Sequence, residues 1–307
     1  MLLVDLFGTK EIEDVEEESG EIRASDGRLV TFSLYGPVGG RPVVCHNGTP
    51  GTRHLGPRMT GTLERNGVRM LILDRPGYGT SSRWSGRTVA DIVTDVRAVV
   101  DLHGWDRFAV WGGSGGGPHA LACASLLADR VTRCASVVGP APYGAEGLDW
   151  FDGMSPGNVE EFTSALEGED SYRPLVERLA QEAVDAAQAG QVPATLASDL
   201  PEADIAAFKE RMDDQGFADR AIAANRDGVD GWIDDCIAFT KPWGIDPCTI
   251  DVPVSIWYGH DDVLCPRGHA EWLLSNIPNS ERHELPDGHL LDDEALDAIY
   301  TWLLAPT

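Results

Sequence analysis

Between Val110 and Ala120 the chain reads VWGGSGGGPHA, one serine, Ser114, set among five glycines. The apolar run FAVW precedes this stretch and the Ala/Leu-rich run HALACASLLA follows it. A flexible linker does not sit between two such buried elements. A sharp strand-to-helix turn does, and it needs neighbours without β-carbons on both flanks. Gly112-Gly113-Ser114-Gly115-Gly116 fits G-x-S-x-G, a turn that holds a serine hydroxyl above the end of a sheet. It also brings the Gly115 N–H to a helix N-terminus, where it can meet a developing oxyanion. Two plainer readings compete. One is a glycine-rich turn that happens to contain serine. The other is a dinucleotide fingerprint, which belongs after a first strand with an acid about 20 positions later. Here the motif lies beyond residue 100 and the next acid is Asp129, so the serine turn is the reading carried forward.

The surrounding text alternates strand and helix. EIRA, RLVTFSLYG and RPVVCH are short β-prone runs broken by DG and GPVGG. The loop HNGTPGTRH follows, then a helix around Met59 to Asn66, the apolar strand VRMLILD and the loop DRPGYGTSS. Val89, Ile92, Val93, Val96, Val99 and Val100 predict a helix over Thr88 to His103. Arg107 to Trp111 is a strand, Ser114 to Ala128 a helix, and Val131 to Val138 the next strand. Strands alternating with helices through Gly-rich loops predict an α/β fold, a mostly parallel sheet covered on both faces. From Pro140 to about Ile245 the text is rich in Ala, Glu and Asp with helical spacing, so a helical insertion is expected. The alternation resumes with VPVSIWYG, GHAEWLLSNI, ERHEL and ALDAIYTWLL. The expected division is therefore a core of residues 1–139 and 246–307 and an inserted helical cap of residues 140–245.

Composition narrows the partners. Fifty acidic residues against 24 Lys plus Arg give a formal charge of −26 across 307 residues, a field that repels nucleic acid. No apolar run reaches the ~18 residues of a membrane span. The start, MLLVDLFGTKEIEDVEEESGE, lacks the basic n-region and long apolar core of a secretory signal, so the cytoplasm is the expected location. Cys45, Cys123, Cys134, Cys236, Cys248 and Cys265 show no metal-ligand spacing and read as free, mostly buried thiols. No metal and no organic cofactor are expected.

A serine hydroxyl needs a base, and the base needs an orienting acid. The elbow motif predicts the chain order Ser, Asp/Glu, His. WYGHDDVLCP places Asp262 just beyond a strand, and ELPDGHLLDDE places His289 after the last short strand. Asp261 is the competing acid, and the frame Gly259, Asp262, Pro266 favours its neighbour. Of the other histidines, His283 lies within ERHEL as a sheet-surface residue, His119 packs on the elbow helix, and His260 adjoins the acid loop as a support for it. The loop HNGTPG, His46 to Gly51, is the candidate source of a second oxyanion donor, at Thr49; a plain tight turn is the alternative.

Taken together, VVCHNGTPG, LILDRPGYGTSS, VWGGSGGGPHA, WYGHDDVLCP and PDGHLL resemble, in order, the motifs of the α/β-hydrolase superfamily. Relatives usually carry H-G-x-P-G in the first loop. Here Asn47 stands in that His place and His46 precedes it. The resemblance implies an oxyanion donor at Thr49 and a helical cap that shapes a small-molecule pocket, with Trp150, Phe151, Phe162, Tyr172, Phe217 and Trp232 as its aromatic stock, most of them cap core. It implies acyl transfer through Ser114, His289 and Asp262, with small to medium neutral carboxylic esters or lactones as the expected substrates. Ser114 argues against relatives that carry Asp at the elbow. A proline iminopeptidase resembles the chain in the HNGTPG and DRPGYGTSS loops, but its elbow typically has Trp where Gly115 stands. Its cap acids for a substrate amine have possible counterparts in Glu160, Glu161, Glu167 and Glu169. Carbon–carbon bond hydrolases, cofactor-free perhydrolases and a non-catalytic receptor on the same fold are the remaining alternatives.

Overall fold

Odd–even alternation in the apolar runs assigns their residues to two faces of a sheet. In the computed structural model, which describes residues 18–214, 216–226, 228–286 and 288–306, that alternation builds two cores. The strands are β1 (Glu18–Arg23), β2 (Leu29–Tyr35), β3 (Arg41–His46), β4 (Val68–Leu73), β5 (Phe108–Gly113), β6 (Val131–Val137), β7 (Val254–Gly259) and β8 (Ser280–Leu285). They form one eight-stranded sheet in the order β1-β2-β4-β3-β5-β6-β7-β8. The β1–β2 and β2–β4 pairs are antiparallel and all later pairs are parallel.

The flanking helices are α1 (Pro57–Asn66), α2 (Ile92–Leu102) and α3 (Gly116–Leu126). Between β6 and β7 lie α4 (Pro156–Glu167), α5 (Glu169–Ala189), α6 (Ala194–Asp199), α7 (Glu202–Met212), α8 (Phe217–Arg226) and α9 (Asp230–Phe239), then α10 (Arg267–Asn276) and α11 (Asp293–Leu303) complete the chain. Val44, Leu71, Val110, Cys134 and Ile256 pack under α2, α3 and α10. Their neighbours Val43, Met70, Ala109, Ala135 and Trp257 pack under α1 and α11. Each large side chain so buried contributes about 1.5–3 kcal/mol, which makes a one-residue slip in any central strand prohibitive.

The helix read over Thr88–His103 is divided. A 3-10 turn at Val89–Asp91 precedes α2, because Asp91 Oδ2 accepts from both Thr88 N (2.6 Å) and Thr88 Oγ1 (2.9 Å) and closes a capping box there. Between β6 and β7 the described residues form helices and no strand. Tyr172, Val176, Trp232, Ile233 and Cys236 give that helical segment a core of its own. All six cysteines are free; five are buried and Cys248 is exposed. No helix among the described residues is long and apolar enough to cross a membrane. The acidic N-terminal stretch lies, but for its last residues, outside the described residues.

Candidate active site

Parallel strands deliver their following loops to one edge of the sheet. The register pairs His46 with Gly112 and Gly259 with Leu285. The loop after β3 therefore meets the turn after β5, and the loop after β7 meets the loop after β8. Ser114 stands in the β5–α3 turn with φ of 53°, a left-handed conformation that is uncommon for a residue with a β-carbon. The turn is held by Ser114 N donating to Val137 O (2.8 Å) and Gly117 N donating to Ser114 O (2.9 Å). The glycines answer to close packing. A β-carbon on Gly112 would strike Gly116 O, one on Gly116 would strike His46 O, and one on Gly115 would strike Thr49 Oγ1.

Asp262 is buried in the loop after β7. Its Oδ1 accepts from Leu264 N (2.8 Å) and Cys265 N (2.9 Å), and its Oδ2 lies 2.8 Å from His289 Nδ1. The backbone donors fix the carboxylate, and the carboxylate fixes the imidazole with its other nitrogen available. Ser114 and His289 line one cavity of about 670 Å³, together with Asn47, Gly48 and Thr49. Burial pushes the His289 pKa down, but the facing charge and hydrogen bond of Asp262 outweigh it, aided by Asp204, and the net direction is upward. Among the described residues no group of three His, Cys, Asp or Glu side chains is placed to hold a metal ion.

The Thr49 loop is held from two sides. Arg75, from the DRPGYG loop after β4, donates through Nη1 to Asn47 O (2.6 Å) and through Nη2 to Gly48 O (2.8 Å). In a trans peptide the carbonyl and the following N–H point in opposite directions, so fixing Gly48 O also fixes the direction of Thr49 N–H. Asp235, on α9, takes the other side. Its Oδ2 accepts from Thr49 Oγ1 (2.8 Å), Tyr78 OH (2.9 Å) and Arg75 Nη2 (2.6 Å), and Arg87 Nη2 donates to Oδ1. Burial alone would raise the Asp235 carboxyl, but Arg75 and Arg87 hold it well below the usual range. His119 joins this polar cluster, with Nε2 3.4 Å from Asp235 Oδ1, and burial lowers its pKa to about 4.

The His289 loop is held by α7. Asp204, itself buried, accepts from His289 N (3.0 Å) and Leu290 N (2.9 Å). Seven residues along the same helix face, Arg211 Nη2 donates to Leu291 O (2.8 Å). The sequence marked none of Arg75, Asp204, Arg211 or Asp235. Arg75 sits in a loop whose motif gave no role to its arginine, and an acid within a helix rich in acids looks like a solvated face.

One expectation needs revising. His260 does not support Asp262; it is exposed, and its Nδ1 lies 3.0 Å from Glu284 Oε1 on the neighbouring strand. Of the six aromatic residues, Phe217 and Trp232 line the cavity, whereas Tyr172 is core and Trp150 packs on Phe151, Phe162 and His269. Of the four acids, Glu160 and Glu161 line it, whereas Glu169 pairs with Arg83 and Arg173. His283 stacks on Trp257 at 4.0 Å between ring centroids. Val138, at the end of β6, also lines the cavity and carries φ of 46°, a strained value for a β-branched residue.

A family model described as alpha/beta hydrolase fold matches residues 41–294. The chain belongs to the alpha/beta hydrolase fold family. Within it, the chain is 26% identical over 283 residues to a non-heme chloroperoxidase from Streptomyces lividans, covering 88% of this chain and 94% of that one. It is 25% identical over 300 residues to a probable proline iminopeptidase from Leptolyngbya boryana, covering 89% and 88%. An esterase from Exiguobacterium antarcticum superposes with a TM-score of 0.66 at 20% identity, covering 93% of this chain and 99% of that one. These hydrolase-fold relatives extend over the helical segment as well as the sheet.

Proposed function

We propose that the chain is a serine hydrolase that cleaves carboxylic esters or lactones through an acyl-enzyme. Ser114 attacks the carbonyl carbon while His289 takes its proton. Asp262 holds the imidazole tautomer and stabilises the imidazolium. The N–H groups of Thr49 and Gly115 receive the oxyanion. His289 then protonates the leaving oxygen, and water repeats the sequence on the acyl-enzyme. The helices of residues 140–245 act as a cap that limits water in the cavity. The observation that carries this reading is the shared cavity of Ser114 and His289, with the imidazole anchored by a buried carboxylate on its far nitrogen. In an aryl-acetate assay the wild type turns over and Ser114→Ala loses at least ~10³-fold in kcat. A fluorophosphonate probe labels the wild type at Ser114; absence of labelling would favour a receptor.

A second reading has one specific observation behind it. Glu161, on α4, lines the cavity. Its Oε1 accepts from Tyr172 OH (2.5 Å), Trp232 Nε1 (2.6 Å) and Cys236 Sγ (3.4 Å), and no donor among the described residues reaches Oε2. Such a carboxyl suits a substrate ammonium and supports an aminopeptidase like the proline iminopeptidases. Burial raises its pKa, which works against a standing negative charge. The ester reading predicts faster turnover of aryl acetate than of proline arylamide, with Glu161→Gln altering that ratio little. The reverse ratio, abolished by Glu161→Gln, would reverse the assignment.

A further inference from the structure

Arg211 is an unusual cation for its surroundings. It lies on α7, lines the catalytic cavity, and has one hydrogen-bond partner among the described residues, the carbonyl of Leu291. No carboxylate there lies within ion-pair distance of it. The acids whose charges act on it are engaged elsewhere. Asp204 receives the N–H groups of His289 and Leu290, and Asp293 pairs with Arg58 Nε. Arg58 also lines the cavity, and its Nη2 donates to the same Leu291 oxygen at 3.1 Å. Two guanidinium nitrogens meeting at one oxygen lie within ~6 Å of each other, where like charges repel strongly in a partly dry site. Burial and the nearby Arg58 together lower the Arg211 pKa to about 10, as expected for a cation short of a counter-charge.

A guanidinium has five N–H donors in a planar fork. Arg211 spends one on Leu291. The other acids of the cavity have partners elsewhere: Asp199 accepts from Gly157 N, Glu182 from Thr195 N and Oγ1, Glu161 from Tyr172 and Trp232, Asp214 pairs with Arg220, and Glu160 lies 3.9 Å from Arg178. Leu291 lies two residues beyond His289, at most ~7 Å along the chain. An anion seated between the two guanidinium groups would therefore occupy the same cavity as Ser114 and His289.

We propose that Arg58 and Arg211 form a carboxylate subsite, so that the preferred substrate carries a carboxylate besides the ester or lactone bond to be cut. This rests on the serine-hydrolase reading of the same cavity, and it gives that reading a substrate class. The subsite is selective because a neutral ester leaves Arg211 without its counter-charge, whereas a carboxylate meets it through charge-assisted, bidentate hydrogen bonds.

The test compares matched pairs of esters. 4-Nitrophenyl hydrogen glutarate against 4-nitrophenyl pentanoate places the charge on the acyl side. 4-Acetoxybenzoate against its methyl ester places it on the leaving group. The wild type favours the charged member of at least one pair by ~10- to 100-fold in kcat/KM, the range expected of a charge-assisted contact. Arg211→Met removes that preference: the charged-to-neutral ratio of kcat/KM, taken on the pH plateau of each variant, falls to about one. Calorimetry on Ser114→Ala, which needs no turnover, detects monomethyl glutarate and not dimethyl glutarate, and adding Arg211→Met abolishes the signal. No preference in either pair, or an equal loss on charged and neutral esters in Arg211→Met, overturns the subsite and leaves Arg211 as a brace for Leu291. Binding of monomethyl glutarate through Arg211 without turnover of any ester would keep the subsite and overturn the hydrolase reading. Should Arg211→Met fail to fold, Arg58→Met carries the same comparison.

Discussion

In the proposed mechanism His289 is the general base, and its basicity is set by three neighbours of opposing effect. Asp262 and Asp204 raise its pKa, while burial and Arg211 lower it. A general base works only when neutral, so kcat/KM should climb with pH through a midpoint above the ordinary imidazole value of ~6.5. The signs of two substitutions follow. Asp204→Asn removes a negative charge and moves the midpoint to lower pH. Arg211→Met removes a positive charge and moves it to higher pH. Asp204→Asn also leaves one acceptor oxygen for two backbone donors, so the plateau rate falls, by ~10-fold, as the His289 loop loosens. A pH–rate profile of both variants measures this, and a role confined to stability would shift neither midpoint.

At the scale of elements, α7 and α9 do more than cover the cavity. Each inserts one buried acid into a loop of the sheet: Asp204 into the loop of His289, Asp235 into the loop of Thr49. Asp235 is also the counter-charge of Arg75 and Arg87, and both guanidinium groups are almost wholly buried. Asp235→Asn keeps the shape and removes the charge. It should cost about 3–5 kcal/mol in denaturant unfolding, because two desolvated cations lose their partner. The surviving folded fraction should lose kcat more than it raises KM, since Arg75 would no longer be held against the carbonyls that orient Thr49 N–H. The helical character of the whole segment was visible in the sequence, through its spacing. Its acids were not legible as anchors, because Asp204 and Asp235 sit among many acids that face water and only tertiary packing tells them apart.

For the whole molecule, the parallel sheet and the position of each motif at its carboxyl edge could be read from the text. Glycines at Gly112, Gly115 and Gly116 announced a turn with no room for side chains, and the spacing of Asp262 and His289 behind strands brought them to adjacent loops. Less legible were features made by distant parts of the chain, such as the Arg75–Asp235 pair or the meeting of Arg58 and Arg211 at Leu291, because no periodicity records a contact across 80 or more residues. The two anchoring acids bear on how a visitor reaches Ser114. A roof riveted at α7 and α9 to the floor beneath it cannot swing up as one plate without tearing buried charges from their donors. Traffic to and from the chamber is therefore expected through small sidesteps of α6, whose side-chain bonds run to α4 and α5 within the same helical segment, and the aperture it leaves would set the girth of the molecules admitted.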